Sequence, residues 1–172
     1  MGCEVVELII DDEVFAVILA VSVVASVIGV VSVVRPEVTE PFTALGLLNE
    51  DCRIGYYPKT AANDSTLRLC FFVSNYMGKP TYYKVVYKIG DSETIPTNTT
   101  PSPREPVLTW FGVLGNMQNV TELIEVPVYT RKPLPDKVAL IFELWLYDTE
   151  STQWVYTGRW THLYINVTPP TP

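Results

Sequence analysis

Hydrophobic and polar positions divide the chain into two regimes. Residues 14–34 read VFAVILAVSVVASVIGVVSVV, 21 consecutive residues without a charge. A helix of that length rises about 31 Å, close to the thickness of the hydrocarbon core of a bilayer. Its many valines disfavour a helix in water. In lipid the backbone must satisfy its own hydrogen bonds, and that need outweighs propensity. A buried core helix would carry a polar stripe, whereas this run has only Ser22, Ser26 and Ser32. A secretory signal would start with a basic segment and end in small residues. Here the preceding segment is acidic, and the run closes on Val33, Val34, Arg35 and Pro36. The pattern predicts an uncleaved single-pass transmembrane helix over 14–35, after an acidic segment 1–13 and before an extended tether 36–41.

Beyond the tether the period changes from helical to two. Residues 42–48 are the first predicted strand. In 66–74, Leu67, Leu69, Phe71 and Val73 face one way, and Thr66, Arg68 and Cys70 face the other. In 81–89, Tyr83, Val85, Tyr87 and Ile89 alternate with Lys84 and Lys88. The turn 75–80 between these two segments suggests a hairpin. A long Thr- and Pro-rich loop spans 90–106. Further strands are predicted over 107–114, 123–130, 138–148, 154–160 and 162–168, with Val138, Leu140, Phe142, Leu144 and Leu146 as an inward row. Pro127 places its strand at an edge or a bulge. Seven or eight strands over about 130 residues, without helical period, predict a mainly β domain over 42–168, a β-sandwich, with a Pro-rich tail 169–172.

The split changes the meaning of the composition. The 172 residues carry a formal net charge of −7, are 48% hydrophobic and have a mean hydropathy of +0.19. Five acids (Glu4, Glu7, Asp11, Asp12 and Glu13) precede the apolar run, where they would cap the helix and complement its dipole. The chain after Arg35 holds 11 Lys and Arg against 14 Asp and Glu, a net of −3. No basic run is present, which argues against nucleic-acid binding. One His and three Cys leave little for a metal cluster, and no cofactor motif is found.

Candidate sites are structural or recognitional. Ser22, Ala25, Ser26 and Gly29 place small residues along one helix face, suited to contact with another membrane helix or a second copy. Sequons occur at Asn63, Asn98, Asn119 and Asn166. A Cys52–Cys70 bridge would close a loop worth about 3 kcal/mol, with two unpaired thiols as the alternative; Cys3 is expected to be a free thiol. The lone Arg35 after the helix votes for a cytoplasmic β domain. The sequons and the cysteine pair vote for an extracytoplasmic one, which is the expectation here. No catalytic residue is assigned, because His162 alternates with Tyr164 and Asn166 on a strand and reads as a sheet-face histidine. Glu143, on an apolar strand, is expected to oppose a Lys or Arg of a neighbouring strand. Trp154, Tyr156 and Trp160 cluster around Arg159 as a candidate stacking platform for a sugar or a partner protein.

The order of several segments carries a resemblance. An apolar anchor precedes Pro41-Phe42-Thr43-Ala44-Leu45-Gly46-Leu47-Leu48, then Gly55-Tyr56-Tyr57-Pro58, then Val73-Ser74-Asn75-Tyr76 and Tyr82-Tyr83. Leu140-Ile141-Phe142-Glu143-Leu144-Trp145-Leu146-Tyr147 and Leu163-Tyr164-Ile165-Asn166-Val167 close the order. This resembles the archaeal membrane proteins grouped as domain of unknown function 1616, over about residues 38–168. The resemblance implies an archaeal source and an immunoglobulin-like sandwich facing outside. It offers no catalytic residues.

Three functions fit these readings. The first is a non-catalytic accessory or interaction subunit of a membrane or cell-envelope complex, anchored in lipid. The second is a pilin-like filament subunit, which would need a basic leader that residues 1–13 do not show. The third is a carbohydrate-binding ectodomain using the Trp154/Trp160 cluster.

Overall fold

The computed structural model describes residues 12–34, 40–130 and 137–169. The predicted free thiol Cys3, most of the acidic segment, Arg35, tether residues 36–39 and the tail 170–172 lie outside the described residues. The chain divides into two units, 1–39 and 40–172.

The first unit holds helix α1, Asp12–Val34. It starts two residues earlier than the hydropathy pattern predicts. Asp12 and Glu13 occupy its first turn, where carboxylates complement the N-terminal dipole. It is long and apolar enough to cross a membrane. The hydroxyls of Ser22 and Ser26 donate to the carbonyls of Ile18 (2.8 Å) and Ser22 (2.7 Å), so both donors are satisfied within the helix.

The second unit is a two-sheet sandwich. One sheet orders β1 (Phe42–Leu48), β3 (Ser65–Tyr76) and β6 (Gln118–Val128) as β1-β3-β6. The other orders β2 (Thr60–Ala62), β8 (Gln153–Thr168), β7 (Val138–Asp148), β4 (Thr81–Gly90) and β5 (Pro106–Leu114) as β2-β8-β7-β4-β5. The chain crosses between sheets after β1, β2, β3, β5 and β6, and pairs locally at β4–β5 and β7–β8. Three strands facing five with these crossovers make an immunoglobulin-like β-sandwich.

Alternation explains the core. Leu69, Phe71, Val73, Ile124, Val126 and Val128 face Tyr83, Val85, Tyr87, Leu140, Phe142, Leu144 and Ile165 across the interface. The Tyr87 hydroxyl spans the sandwich to donate to the Pro127 carbonyl at 2.8 Å, and burial raises its phenol well above the ordinary value. The predicted hairpin between residues 66–74 and 81–89 does not form. These segments belong to β3 and β4, in opposite sheets, because their apolar rows face each other rather than sharing a side. Asn75 builds the crossover: its side-chain amide donates to the carbonyls of Lys79, Leu114 and Gly115, and its Oδ1 accepts from Met77 N–H. Residues 154–160 and 162–168 are one strand, β8, interrupted by a register shift opposite Leu144 and Trp145. The short β2, parallel to β8, has no counterpart in the hydropathy pattern. Pro127 sits in β6, an edge strand. Cys52 and Cys70 are bridged, Cα atoms 5.2 Å apart, and Cys70, on the outward row of β3, is fully covered.

Candidate functional site

Two consequences of strand register build a surface on the outer face of the five-stranded sheet. On β4 the outward positions are Tyr82, Lys84, Val86 and Lys88, because Tyr83, Val85 and Tyr87 point into the core. On β7 they are Ile141, Glu143, Trp145 and Tyr147, alternating against Leu140, Phe142, Leu144 and Leu146. The ladder then sets Phe111 beside Lys84, Lys84 beside Trp145, Trp145 beside Tyr156, and Tyr147 beside Trp154.

The rings touch across strands. Tyr82 lies 5.0 Å from Trp154, 6.1 Å from Tyr147 and 6.3 Å from Phe111, centroid to centroid. Trp154 is 5.4 Å from Tyr147 and 5.7 Å from Phe111. Most of these pairs are tilted by 50° or more, the edge-to-face preference of aromatic quadrupoles. Tyr82 and Phe111 are closer to parallel, at 30°, and are the most open to solvent, at 43% and 57% exposure. Lys84 Nζ sits 4.7 Å from the Trp154 ring centroid and 5.1 Å from that of Trp145, both within cation–π range. Burial, and then the charge of Lys88, lower the Lys84 ammonium below its ordinary value. Farther along β8, His162 lies between Trp160 (5.4 Å) and Tyr164 (4.7 Å), and burial lowers its imidazole.

A clamp borders the face. Glu143, fully buried, pairs with Lys88 Nζ at 3.0 Å and accepts from Trp145 Nε1 at 3.2 Å. The loop between β4 and β5 closes over this pair: Ser102 N–H donates to Glu143 Oε1 at 2.6 Å, and Lys88 Nζ donates to the Ser102 carbonyl at 2.7 Å. The expected opposing cation of Glu143 is therefore Lys88. Upstream in the same loop, the Thr97 carbonyl accepts from the Tyr156 hydroxyl at 2.9 Å. Burial and the nearby Glu143 charge raise that phenol to about 12. Gly158 makes this approach feasible: its φ is +71°, and a Cβ there would run into the Asn98 carbonyl oxygen.

The sequence-predicted platform is partly corrected. Trp154, Tyr156 and Trp160 share the outer face, paired with Tyr147, Trp145 and Glu143. Arg159 pairs with Leu144, a core-facing position, because it lies in the inward phase of β8; the two unpaired residues Thr157 and Gly158 leave that phase unchanged, so Trp154, Tyr156 and Trp160 stay together. The Arg159 side chain is turned from the aromatic face and lines a cleft of about 480 Å³ at the end of the sandwich, with Lys79, Asp148, Leu146, Val155 and Phe42. Tyr82, Lys84, Phe111, Trp145 and Tyr147 belong to the site and were not singled out from the sequence.

The sequons differ in setting. Asn63 is only 8% exposed, its Oδ1 accepting from Thr130 N–H at 2.8 Å and its Nδ2 donating to Asp64 at 3.0 Å, so its side chain serves the fold. Asn98, Asn119 and Asn166 are exposed, in the β4–β5 loop, β6 and β8 respectively. Among the described residues no group of three His, Cys, Asp or Glu could hold a metal ion.

No family model matches the chain, and no curated protein matches it. Solved structures resemble its fold loosely. The CARDB domain of a Pyrococcus furiosus protein, determined in complex with di-metal ions, is 12% identical, with 74% of this chain and 89% of that chain covered, at a TM-score of 0.45. A β-glucosidase from Listeria innocua is 10% identical over 77% of this chain and 17% of that chain, at 0.46. Escherichia coli alpha-2-macroglobulin is 16% identical over 74% and 7%, at 0.42. Superpositions this loose add nothing to the topology already described.

Proposed function

We propose that the chain is a single-pass, membrane-anchored recognition subunit that presents its sandwich on the extracytoplasmic side and uses the aromatic outer face of the five-stranded sheet to hold a partner. The observation that carries this reading is that aromatic row. An ordinary solvated sheet face carries polar residues at those positions. Here Tyr82, Phe111, Trp145, Tyr147, Trp154 and Tyr156 fill them, and aromatic residues of this kind supply most of the binding energy at protein interfaces. The Cys52–Cys70 bridge supports an oxidising compartment. The exposed sequons Asn98, Asn119 and Asn166 support the same side. The small-residue face of α1, through Ala25 and Gly29, would pack against another membrane helix within a cell-envelope complex. Membership of the archaeal family 1616 belongs to the same proposal.

The test is site-specific photo-crosslinking in membranes, with the reactive residue at position 82 or at position 123 on the outer face of the other sheet. Adducts formed from position 82 and not from 123 are expected. Equal adducts from both positions, or none from 82, overturn the reading.

A further inference from the structure

The recognition face contains a cation whose charge the fold does not answer. Lys84 stands at its centre, and among the described residues no carboxylate lies within ion-pair distance of its ammonium. The Glu143 carboxylate nearby is committed to Lys88, Ser102 and Trp145. The contacts of the Lys84 ammonium are the ring faces of Trp145 and Trp154. Two more cations that have no carboxylate at ion-pair distance among the described residues, Lys79 and Arg159, line the cleft that Tyr82 and Tyr147 share with the face. The acid of that cleft, Asp148, is held low by hydrogen bonds from Ser151 and the Glu150 backbone, and to a lesser extent by the charge of Lys79. A chain of net charge −7 thus holds one cation, Lys84, at its aromatic surface, with Arg159 in the adjoining cleft.

From this juxtaposition we infer that the face binds an anionic saccharide, its sugar rings lying on Tyr82, Phe111 and Trp154 and its carboxylate or sulfate meeting Lys84. This rests on the recognition-face reading and names its ligand class. An extended acidic peptide fits less well. The central strands β4 and β7 are paired on both sides, so a strand could add only at an edge, beside β5 or the part of β8 ahead of Asn166, and not across the ring surface over Lys84. What the face offers is ring surface and a point charge. A pyranose ring presents C–H groups to the first and an acidic substituent to the second.

The experiment uses the full chain in detergent micelles, titrated with oligogalacturonate hexamer and with its fully methyl-esterified counterpart. Binding is read by tryptophan fluorescence and calorimetry. The acid form is expected to bind about tenfold more tightly than the ester, as the loss of one charge-assisted hydrogen bond implies. Lys84→Met, which keeps the stem against the two tryptophans, is expected to abolish that difference. Trp154→Ala should weaken both ligands. Unchanged unfolding temperature of Lys84→Met, and unchanged binding by Leu123→Ala, exclude a folding artefact. Equal affinity for acid and ester, or full discrimination by Lys84→Met, overturns the inference. If position 82 crosslinks to a protein while neither saccharide binds, the inference fails and the recognition face stands with a protein partner. If neither result appears, both fail.

Discussion

The two outer faces of the sandwich obey the same alternation and end up as different surfaces. On the three-stranded sheet the outward row reads Thr66, Arg68, Cys70, Phe72 and Ser74, opposite Pro127, Glu125, Leu123, Thr121 and Asn119. Its charged contact is the exposed cross-strand pair Arg68–Glu125 at 3.9 Å, worth at most about 1 kcal/mol. The ring contact on this face, Phe42–Tyr76 at 4.8 Å, lies at one end of β1 and β3. On the five-stranded sheet the same kind of row is aromatic across four strands, with a buried ion pair at its border. The difference shows that outward positions carry information that burial alone does not. One row tolerates water, and the other is assembled.

The largest expected effect tests the border of the aromatic face. Glu143→Gln leaves the Lys88 ammonium buried without its counter-charge, which should cost about 3–5 kcal/mol in denaturant unfolding. A loss under 1 kcal/mol would make that border no more organised than the Arg68–Glu125 pair. Next, Cys52→Ser with Cys70→Ser should cost about 3 kcal/mol and leave saccharide or crosslink signals at the opposite sheet unchanged. Gly158→Ala should follow at about 1–3 kcal/mol, through its positive φ and the collision with Asn98. The same variant should let the Tyr156 phenol fall from about 12 toward its ordinary value of 10.0, read by ultraviolet titration. Phe111→Ser and Arg68→Ala should both stay within about 1 kcal/mol in stability, while only the first alters recognition.

The smallest effect is a pH dependence. His162 is lowered from 6.5 by burial, so the unfolded chain takes up its proton at higher pH than the folded chain does. Its contribution is fully present above pH 6.5 and is lost as the pH falls from there through the folded value. His162→Gln should flatten that segment of the stability curve.

Much of this architecture is legible in residue alternation. The rows 67–73, 83–89 and 138–146 each announce an inward face, and β1 and β7 have the bounds the pattern predicts. Sheet membership is not legible that way. β3 and β4 alternate identically whether they pair side by side or face each other, and Asn75, whose three donated bonds fix the crossover, looks in sequence like any turn asparagine. The aromatic face is half visible in the sequence. Trp154, Tyr156 and Trp160 are close in sequence, so they could be grouped. Lys84, Phe111 and Trp145 come from three other strands and meet only through register. Arg159 is the sequence neighbour of Trp160 and therefore sits in the opposite phase of β8, on the inward side with Leu144. The outward aromatics at 82, 145 and 147 were nonetheless written in the polar phase of their strands, which is the signal that could have found them.

The β4–β5 loop, rich in Thr and Pro, has the composition of a segment that proteases cut and that tolerates insertion. Its anchoring at Ser102 gives the opposite expectation for one stretch. The Ser102 amide donates into a carboxylate sealed from water, so its proton should exchange with solvent as slowly as those of the central strands. Added length around Thr97 to Ser102 would release the clamp, whereas added length near Ser92 and Glu93 would not touch it. A segment that composition marks as expendable therefore contains a stretch with no slack to give.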